Sequence, residues 1–494
     1  MATIITQQPI GYPGMPTGQQ LVFTIANDTV VNTYFNVKFC AAVHVATSAI
    51  NPASNTDLIG TFKTTPNAAG VGIFDLRPVL ETFLKPDQEP RQNYLAEAEY
   101  KGVWYGKKEF PLHIVDKFAF SNDSIKHYAV NFYVEYSVLP LGTITSDIAN
   151  PETTRVYLMT NGVIYHDEEI LVVQNPQFEY GFDMSGFYLK NMGGNNNQSF
   201  LTNSPTTQYA FLGDYGTFPF LNMYDSSTDN ALQQMIITYK NSAGGTIGTD
   251  TINNWHSNGG YPHLGGSAWS RLAYLGIFPG NLENWSTAFA SAVATGTLSY
   301  YEIKAYNITN TVDLSKTYTI KLLCSPYLVS DGKPEPSYTL HYPKPKYKPV
   351  RLTWLNKWGT WDYYTFNLKS VQTINSKKIP YTQETGTWNE STYKIRGFKG
   401  GKKNFRVNST EKIKINTNFV TEEEGVWFEE LINSTEVYVL ESFRADGIYS
   451  SYNTYVQPAV ITTSSYTRKT IANDKLMQYT FDIEMSKMKR TQAV

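Results

Sequence analysis

The chain has 494 residues, of which 41% are hydrophobic, 14% aromatic and only 17% charged. This length allows two or three domains with sizeable cores, and the aromatic content favours β-structure because such side chains fit a pleated surface. A net charge of −2 and a pI near 6.4 exclude a general electrostatic attraction of the whole chain to nucleic acid or anionic lipid.

The two cysteines and the N-terminal residues bear on the compartment. Cys40 and Cys324 lie far apart and lack the spacing of metal ligands, so we predict free thiols in a chain that folds in a reducing cytoplasm. The first residues contain neither a basic segment nor a long apolar one, which predicts no export signal. No apolar run approaches the ~18 residues of a membrane span, so we expect no membrane insertion.

Residues 1–120 are predicted to form an N-terminal β-domain. Leu21–Ile25 and Phe35–Phe39 have the pattern of strands, and residues 94–110 offer two more candidates. A short amphipathic helix near 75–85 interrupts them, with Asp75 as its cap and Pro78 in its first turn. Its apolar residues recur at helical spacing and predict packing across the sheet: Leu76, Val79, Leu80, Phe83 and Leu84.

Residues 121–345 are predicted to be an irregular, β-rich middle insertion. Asn191–Gln198 has the composition of a loop, and Asn241–Gly248 that of a hairpin turn between two strands. Three tryptophans occur among Gly, Asn and Ser and are candidate contacts to a glycan or a partner: Trp255, Trp269 and Trp285. The region ends in a Pro/Lys-rich linker, which cannot pair as a central strand.

Residues 346–494 are predicted to form a C-terminal β-domain that opens with an aromatic hairpin. We predict strands at Arg351–Leu355 and Thr360–Leu368, with a tight turn over Asn356–Gly359. Its aromatic side chains either pack in one core or include an oligomeric or partner interface. The candidate interface residues are Trp354, Trp358, Trp361 and Tyr363.

A second short helix is predicted near 422–433, because Thr421 and Glu424 match a capping box. Val426, Trp427, Leu431 and Ile432 supply its apolar face. The chain thus begins and ends with strands and one short amphipathic helix. We therefore predict a mainly β protein with two β-sandwich or barrel domains, each with such a helix, and a loop-rich middle insertion.

Catalytic patterns are sparse, and we predict no enzyme, no cofactor and no metal site. His256 and His263 lie in a glycine-containing loop, and residues 166–169 lack the pattern of a calcium loop. Residues 265–269 come near a nucleophile elbow but have Trp269 in place of its second glycine. Glycoside hydrolysis and non-catalytic glycan contact stay alternatives, with candidate carboxylates Asp362, Glu384 and Glu390 near Trp361 and Trp388.

Two segments carry a resemblance. Phe74–Leu80 and, far downstream, Trp354–Phe366 resemble proteins of tailed phages of Bacteroidetes hosts, including crAss-like podoviruses, in which similar chains are tail or baseplate components. Asn473–Glu484 and Lys489–Gln492 are similar to the ends of the same proteins. The resemblance covers roughly residues 1–120 and 346–494 and carries over no catalytic residue.

The resemblance implies a non-enzymatic structural protein of the virion tail, a hub, adaptor or baseplate component, assembled in the host bacterial cytoplasm. Its expected partners are further copies of itself, in a trimeric or larger ring, and other tail proteins. Nucleic acid is not expected as a specific ligand. The alternative is a receptor-binding or tail-fibre protein that contacts a host surface glycan.

Overall fold

The computed structural model describes residues 3–10, 14–47, 50–52, 55–90, 111–164, 179–194, 196–222, 232–254, 271–330, 332, 338–441, 455–467 and 477–487. Strands account for 48% and helices for 13%, which confirms the mainly β class. The chain divides into two compact units. Unit 1 comprises residues 1–343 and 355–362, and unit 2 comprises 344–354 and 363–494, so the first boundary falls in the Pro/Lys-rich segment.

Unit 1 contains most of the strands. Up to residue 163 they are β1 (Ile4–Pro9), β2 (Met15–Gly18), β3 (Val22–Ala26), β4 (Phe35–Ala46), β5 (Leu58–Thr64), β6 (Val71–Asp75), β7 (Phe118–Phe120), β8 (Ile125–Ser137), β9 (Ile144–Ser146), β10 (Glu152–Thr153) and β11 (Tyr157–Val163). They continue with β12 (Glu179–Tyr180), β13 (Thr207–Ala210), β14 (Thr217–Leu221), β15 (Gln234–Asn241), β16 (Thr246–Asn253), β17 (Leu272–Gly276), β18 (Leu298–Asn307), β19 (Val312–Asp313), β20 (Tyr318–Leu322), β21 (Tyr327–Ser330) and β22 (Tyr338–His341). Its helices are α1 (Asp28–Thr33), α2 (Arg77–Leu80), α3 (Pro279–Trp285) and α4 (Thr287–Ala294).

Two sheets of unit 1 face each other across an aromatic core. One sheet has the strand order β12-β1-β3-β6. The other has the order β2-β11-β8-β4-β5, and the short strands β9 and β10 also pair with β8. Phe23 of the first sheet lies 5.5 Å from Phe132 and 5.8 Å from Tyr157 of the second, between ring centroids. Successive side chains of a strand point to opposite faces of the sheet. Each of these two sheets therefore has one apolar face, which is buried against the other sheet and removed from water.

The first predicted helix is present but shorter than expected. It is a single turn, α2, followed by a 3-10 turn at Glu81–Phe83. Asp75 ends β6, where it pairs with Val22, and its carboxylate accepts from the amide of Arg77, the first residue of α2, at 3.1 Å. The predicted packing is nevertheless seen, because Leu76, Leu80 and Leu84 are buried in the aromatic core.

Further sheets of unit 1 follow in the middle of the sequence. One has the order β13-β20-β18-β15-β16, and another the order β14-β17-β7. The hairpin predicted around Asn241 is confirmed as β15 and β16. The predicted N-terminal domain ends at residue 120. Strand β7, which ends at that position, pairs with β17, and strand β8, after it, pairs with β4, so strand pairing joins residues on both sides of it. Helices α3 and α4 have no counterpart among the sequence predictions.

Unit 2 is built on one seven-stranded sheet. Its strands are β23 (Val350–Leu355), β24 (Trp361–Phe366), β25 (Val371–Gln383), β26 (Gly401–Asn416), β27 (Val437–Leu440), β28 (Val456–Ile461) and β29 (Thr480–Met485), in the order β24-β23-β27-β28-β29-β26-β25. Helix α5 (Glu422–Asn433) starts at the predicted capping box, in which Thr421 and Glu424 bond each other's backbone amides. Trp427, Phe428 and Leu431 bury its inner face, whereas Val426 is exposed.

Candidate interaction surfaces

The predicted aromatic hairpin is confirmed, with its turn at Asn356–Gly359. The Asn356 amide donates to the Thr360 carbonyl at 2.8 Å, and the Gly359 amide donates to the Asn356 carbonyl at 3.0 Å. The side-chain oxygen of Asn356 also accepts from the amides of Trp358 and Thr360. Gly359 has φ +74°, a left-handed conformation that glycine adopts without strain. These local bonds explain why the sequence folds into a turn here.

The turn and two of its tryptophans belong to unit 1. Trp358 packs 4.5 Å from Phe187 and 5.6 Å from Phe182, between ring centroids, and its indole N–H donates to Asn203 at 3.2 Å. Trp361 is fully buried, and its indole N–H donates to the Asp87 carbonyl at 2.6 Å. Both indole N–H groups have acceptors, which offsets the cost of removing them from water.

The two remaining aromatic candidates belong to unit 2. Trp354 lies 4.9 Å from Trp427 of α5, between ring centroids, and is fully buried. The guanidinium of Arg351 stacks 5.3 Å from the ring centre of Tyr363 and donates to Thr365 at 2.7 Å. The hairpin residues therefore contribute to the cores of two units.

The burial of these four side chains favours the core interpretation over the interface interpretation. Trp354, Trp358, Trp361 and Tyr363 are each at most 3% exposed within one chain. A subunit interface needs apolar area that is still exposed in the single folded chain, and these residues have none to offer. Their role is core packing, although the cores are two and not one.

The glycan candidates of the middle region are only partly described. Trp255 and Trp269 lie outside the described residues, as do His256, His263 and residues 166–169. Trp285 ends α3, is half-buried, and has the Lys117 ammonium 4.9 Å from its ring centre. A tryptophan held in this way offers only part of its ring to a ligand.

Two of the three candidate carboxylates have partners within the described residues. Asp362 is buried and accepts hydrogen bonds from Thr202 at 2.6 Å and from the Asn356 amide group at 3.1 Å. Glu390 forms an ion pair with Lys399 at 3.2 Å. Among the described residues, no three His, Cys, Asp or Glu side chains are grouped so as to hold a metal ion. In the same parts of the chain, no helix is long and apolar enough to cross a bilayer.

A buried polar cluster in unit 1 joins Tyr239, Asp250 and Ser286. The Tyr239 hydroxyl donates to the Asp250 carboxylate at 2.5 Å, and the Ser286 hydroxyl bonds the same oxygen. Burial, together with the bond to Asp250, raises the pKa of Tyr239 far above its usual range, so its phenol stays protonated. Ser286 also caps α4 by accepting from the Phe289 amide at 2.7 Å. These bonds tie β15, β16 and α4 together, which is a structural role.

The most exposed feature of unit 2 is a two-stranded ribbon that we call the β-arm, residues 375–410. Strands β25 and β26 pair from Asn375–Thr410 to Gln383–Gly401, and residues 384–400 form the tip. β26 pairs with β29 only over Lys412–Asn416, so within the described chain the arm has no third strand. Nine paired positions at about 3.4 Å per residue extend it by about 30 Å.

The β-arm is basic. It contains eight Lys and Arg residues against two Glu, a formal charge of +6 in a chain whose net charge is −2. Opposed residues of a strand pair share a face, so Ile379, Tyr381, Lys403 and Arg406 lie on one side of the ribbon. The pairing slips by one residue after Ile379, which leaves Phe405 as the unpaired residue of a bulge. The ribbon is therefore positive and partly apolar.

Large apolar side chains on the β-arm are exposed. They are Ile379, Tyr381, Trp388, Tyr393, Ile395, Phe398 and Phe405, with Ile395 at 76% and Phe398 at 73% exposure. The tip is nevertheless ordered by its own hydrogen bonds: the Thr387 amide donates to the Lys394 carbonyl at 3.1 Å, and the Lys394 amide donates to the Thr387 hydroxyl at 2.7 Å. Exposed apolar area on an ordered segment marks a binding surface.

Unit 1 carries a second exposed apolar surface, which we call the Leu141 patch. It comprises Val138, Leu139, Leu141, Ile144 and Ile148, at the turn between β8 and β9, and Leu141 is 102% exposed. Two hydrogen bonds hold this turn. The backbone amide of Gly142 donates to the Leu139 carbonyl at 2.9 Å, and the side-chain amide of Asn36 donates to the Pro140 carbonyl at 2.8 Å. Residues 138–154 contain Asp147 and Glu152 but no Lys or Arg. The patch is thus apolar and acidic.

Neither the β-arm nor the Leu141 patch was predicted from the sequence. Signals for the β-arm exist in Lys377–Lys378, Lys402–Lys403 and the tandem glycines Gly400–Gly401, which separate two strand-like stretches. The consecutive apolar residues of the Leu141 patch are a weaker signal, because a buried strand has the same composition. No protein-family model matches this sequence, and no curated protein is similar enough to be matched with it.

Proposed function

We propose that this protein is a non-enzymatic structural component of a bacteriophage tail, a hub, adaptor or baseplate protein. In this role the β-arm links it to neighbouring proteins of the tail. Three features support the proposal: the resemblance of the two flanks to tail proteins, the mainly β fold, and the exposed β-arm.

The β-arm is the observation that carries the proposal. An isolated two-stranded hairpin is marginally stable in water, so a partner that packs against this extension of about 30 Å would stabilise it. Tyr381, Trp388 and Tyr393 belong to the residue types enriched at protein interfaces, and all three are exposed. An arm of this kind suits a protein whose task is assembly.

Purified phage particles provide the test. We expect the full chain to co-purify with intact tails, to be identified there by mass spectrometry, and to be traced in a cryo-electron microscopy map. Cross-links from Lys377, Lys378 and Lys402 to other virion chains are expected in the same particles. A chain that is produced during infection but absent from purified particles contradicts the proposal.

A receptor-binding function is the second candidate, and one observation favours it. The exposed rings of Trp388 and Tyr393 lie 5.3 Å apart, between ring centroids, as in surfaces that stack against sugars. Binding of host surface polysaccharide would then quench tryptophan fluorescence, and Trp388→Ala would remove that change. A polysaccharide response that survives Trp388→Ala rules out this pair as the glycan site.

A further inference from the structure

The chemistry of the β-arm restricts what can bind it. Its exposed apolar side chains need an apolar surface, and its charge of +6 needs an acidic one. Lys377, Lys378 and Lys402 form no ion pair within the part of the chain that the structure describes, so their charges are available to a partner. The partner surface is therefore expected to combine apolar and acidic residues.

The same chain presents such a surface in the Leu141 patch. Its five apolar side chains are all at least half exposed, and Asp147 and Glu152 are the charged residues of the segment 138–154. Contiguous exposed apolar side chains are uncommon on a monomer and mark a contact surface. The β-arm and the Leu141 patch are thus complementary in charge and alike in apolar character.

We propose that the β-arm of one copy of this chain binds the Leu141 patch of a second copy. The inference rests on the proposed assembly function for its biological setting. Because the two surfaces differ, the contact is heterologous, and repetition of it produces a closed ring or a reciprocal exchange of arms.

Net charge favours a second copy over a polyanion. With +6 on the β-arm and −2 on the whole chain, the rest of the chain carries −8. An anionic bilayer or a nucleic acid would attract the arm but repel the remainder of the protein. A second copy instead presents an acidic remainder to the incoming arm. The apolar tip residues Ile395 and Phe398 also suit a protein surface better than a phosphate backbone.

Sedimentation velocity of the full chain over a concentration series tests the proposal. We expect reversible association that weakens at high salt, because screening reduces the charged part of the contact. Lys402→Glu/Lys403→Glu in the arm, and separately Asp147→Lys/Glu152→Lys in the patch, should each weaken association by about tenfold or more. Leu141→Asp should do the same without a cost in folding, since that side chain is fully exposed.

A matched control and a mixing experiment make the test specific. Lys344→Glu/Lys348→Glu changes the charge of unit 2 equally but outside the arm, and we expect association to stay within about twofold of the unchanged chain. An equimolar mixture of the arm and patch variants should regain pairwise association, because the unchanged arm of the patch variant then meets the unchanged patch of the arm variant. Circular dichroism and melting temperature of every variant check that it folds.

Several outcomes overturn the inference. They are a chain that stays monomeric at all concentrations, association that both charge variants leave unchanged, and a mixture that fails to regain association. Sedimentation of monomeric chain with phosphatidylserine vesicles, abolished by the arm variant, assigns the arm to a membrane and also overturns it. If the chain is found in tails but does not self-associate, only this inference fails; if it self-associates but is absent from particles, the proposed function fails.

Discussion

The indole N–H of Trp361 donates a hydrogen bond of 2.6 Å to the backbone carbonyl of Asp87, 274 residues earlier in the chain. The Asp87 carboxylate in turn accepts from the amides of Asn122, Asp123 and Ser124 and from the hydroxyls of Ser124 and Tyr274. A buried carboxylate is tolerated only when donors surround it, so this residue joins distant segments of unit 1.

Asp87→Ala is expected to destabilise unit 1 severely. Three backbone amides and two hydroxyls lose their acceptor inside the protein, which costs about 3 kcal/mol or more of unfolding free energy. Urea unfolding followed by fluorescence measures the change. Asp313→Ala is the control, because the Asp313 carboxylate forms an exposed ion pair with Lys304, whose loss should cost less than about 1 kcal/mol. Equal losses in the two variants would show that the Asp87 network adds nothing.

Gly359→Ala tests the close approach at the tip of the aromatic hairpin. A Cβ atom there would lie 1.6 Å from the Asn161 carbonyl oxygen, and the backbone has φ +74°. Gly193 has nearly the same φ, +72°, and open space around its Cβ position. We expect Gly193→Ala to cost about 1 kcal/mol through strain alone, and Gly359→Ala several times that or a failure to fold. Similar melting temperatures for both variants would contradict the close approach.

Trp354 and Trp388 should respond differently to truncation, although both belong to unit 2. Trp354→Ala removes a fully buried indole that packs on Trp427, so we expect a loss of about 3–5 kcal/mol. Trp388 is 64% exposed, and its replacement by Ala should cost about 1 kcal/mol at most. The melting temperatures of the two variants measure this difference, and the melting temperature of Trp354→Ala should be clearly the lower one.

Thiol reactivity should differ between the two cysteines. Burial, with a smaller effect of the nearby Glu135 carboxylate, raises the pKa of the Cys40 thiol to about 11. At pH 8 only about 0.1% of such a thiol is ionised, so we expect Cys324 to react with Ellman's reagent and Cys40 to react only after unfolding. Equal reaction of both thiols in the folded chain would be inconsistent with the burial of Cys40.

The same shift has a consequence for stability. A thiol whose pKa is higher in the folded than in the unfolded chain holds its proton more tightly when folded. Its contribution is complete below the unfolded pKa of about 9 and is lost as pH rises through about 11. Cys40→Ser should flatten this alkaline decline, as measured by urea unfolding at a series of pH values.

Local features were predictable from the sequence because their partners lie a few residues apart. The capping box of Thr421 and Glu424 and the turn around Asn356 depend on bonds between positions three or four apart. The mainly β class likewise follows from the supply of aromatic and β-branched side chains. Even so, the helix near 75–85 was predicted too long, since its first residues are held by pairing with β3.

The sequence by itself determined the class of fold, the aromatic hairpin and the position of α5, because each rests on local bonding or overall composition. Only the tertiary structure decided that Trp354 and Trp361 are buried in different units and that β25 and β26 leave their sheet as an arm. An apolar side chain is equally suited to a core or an exposed contact surface. Which of the two it occupies depends on neighbours from distant parts of the chain.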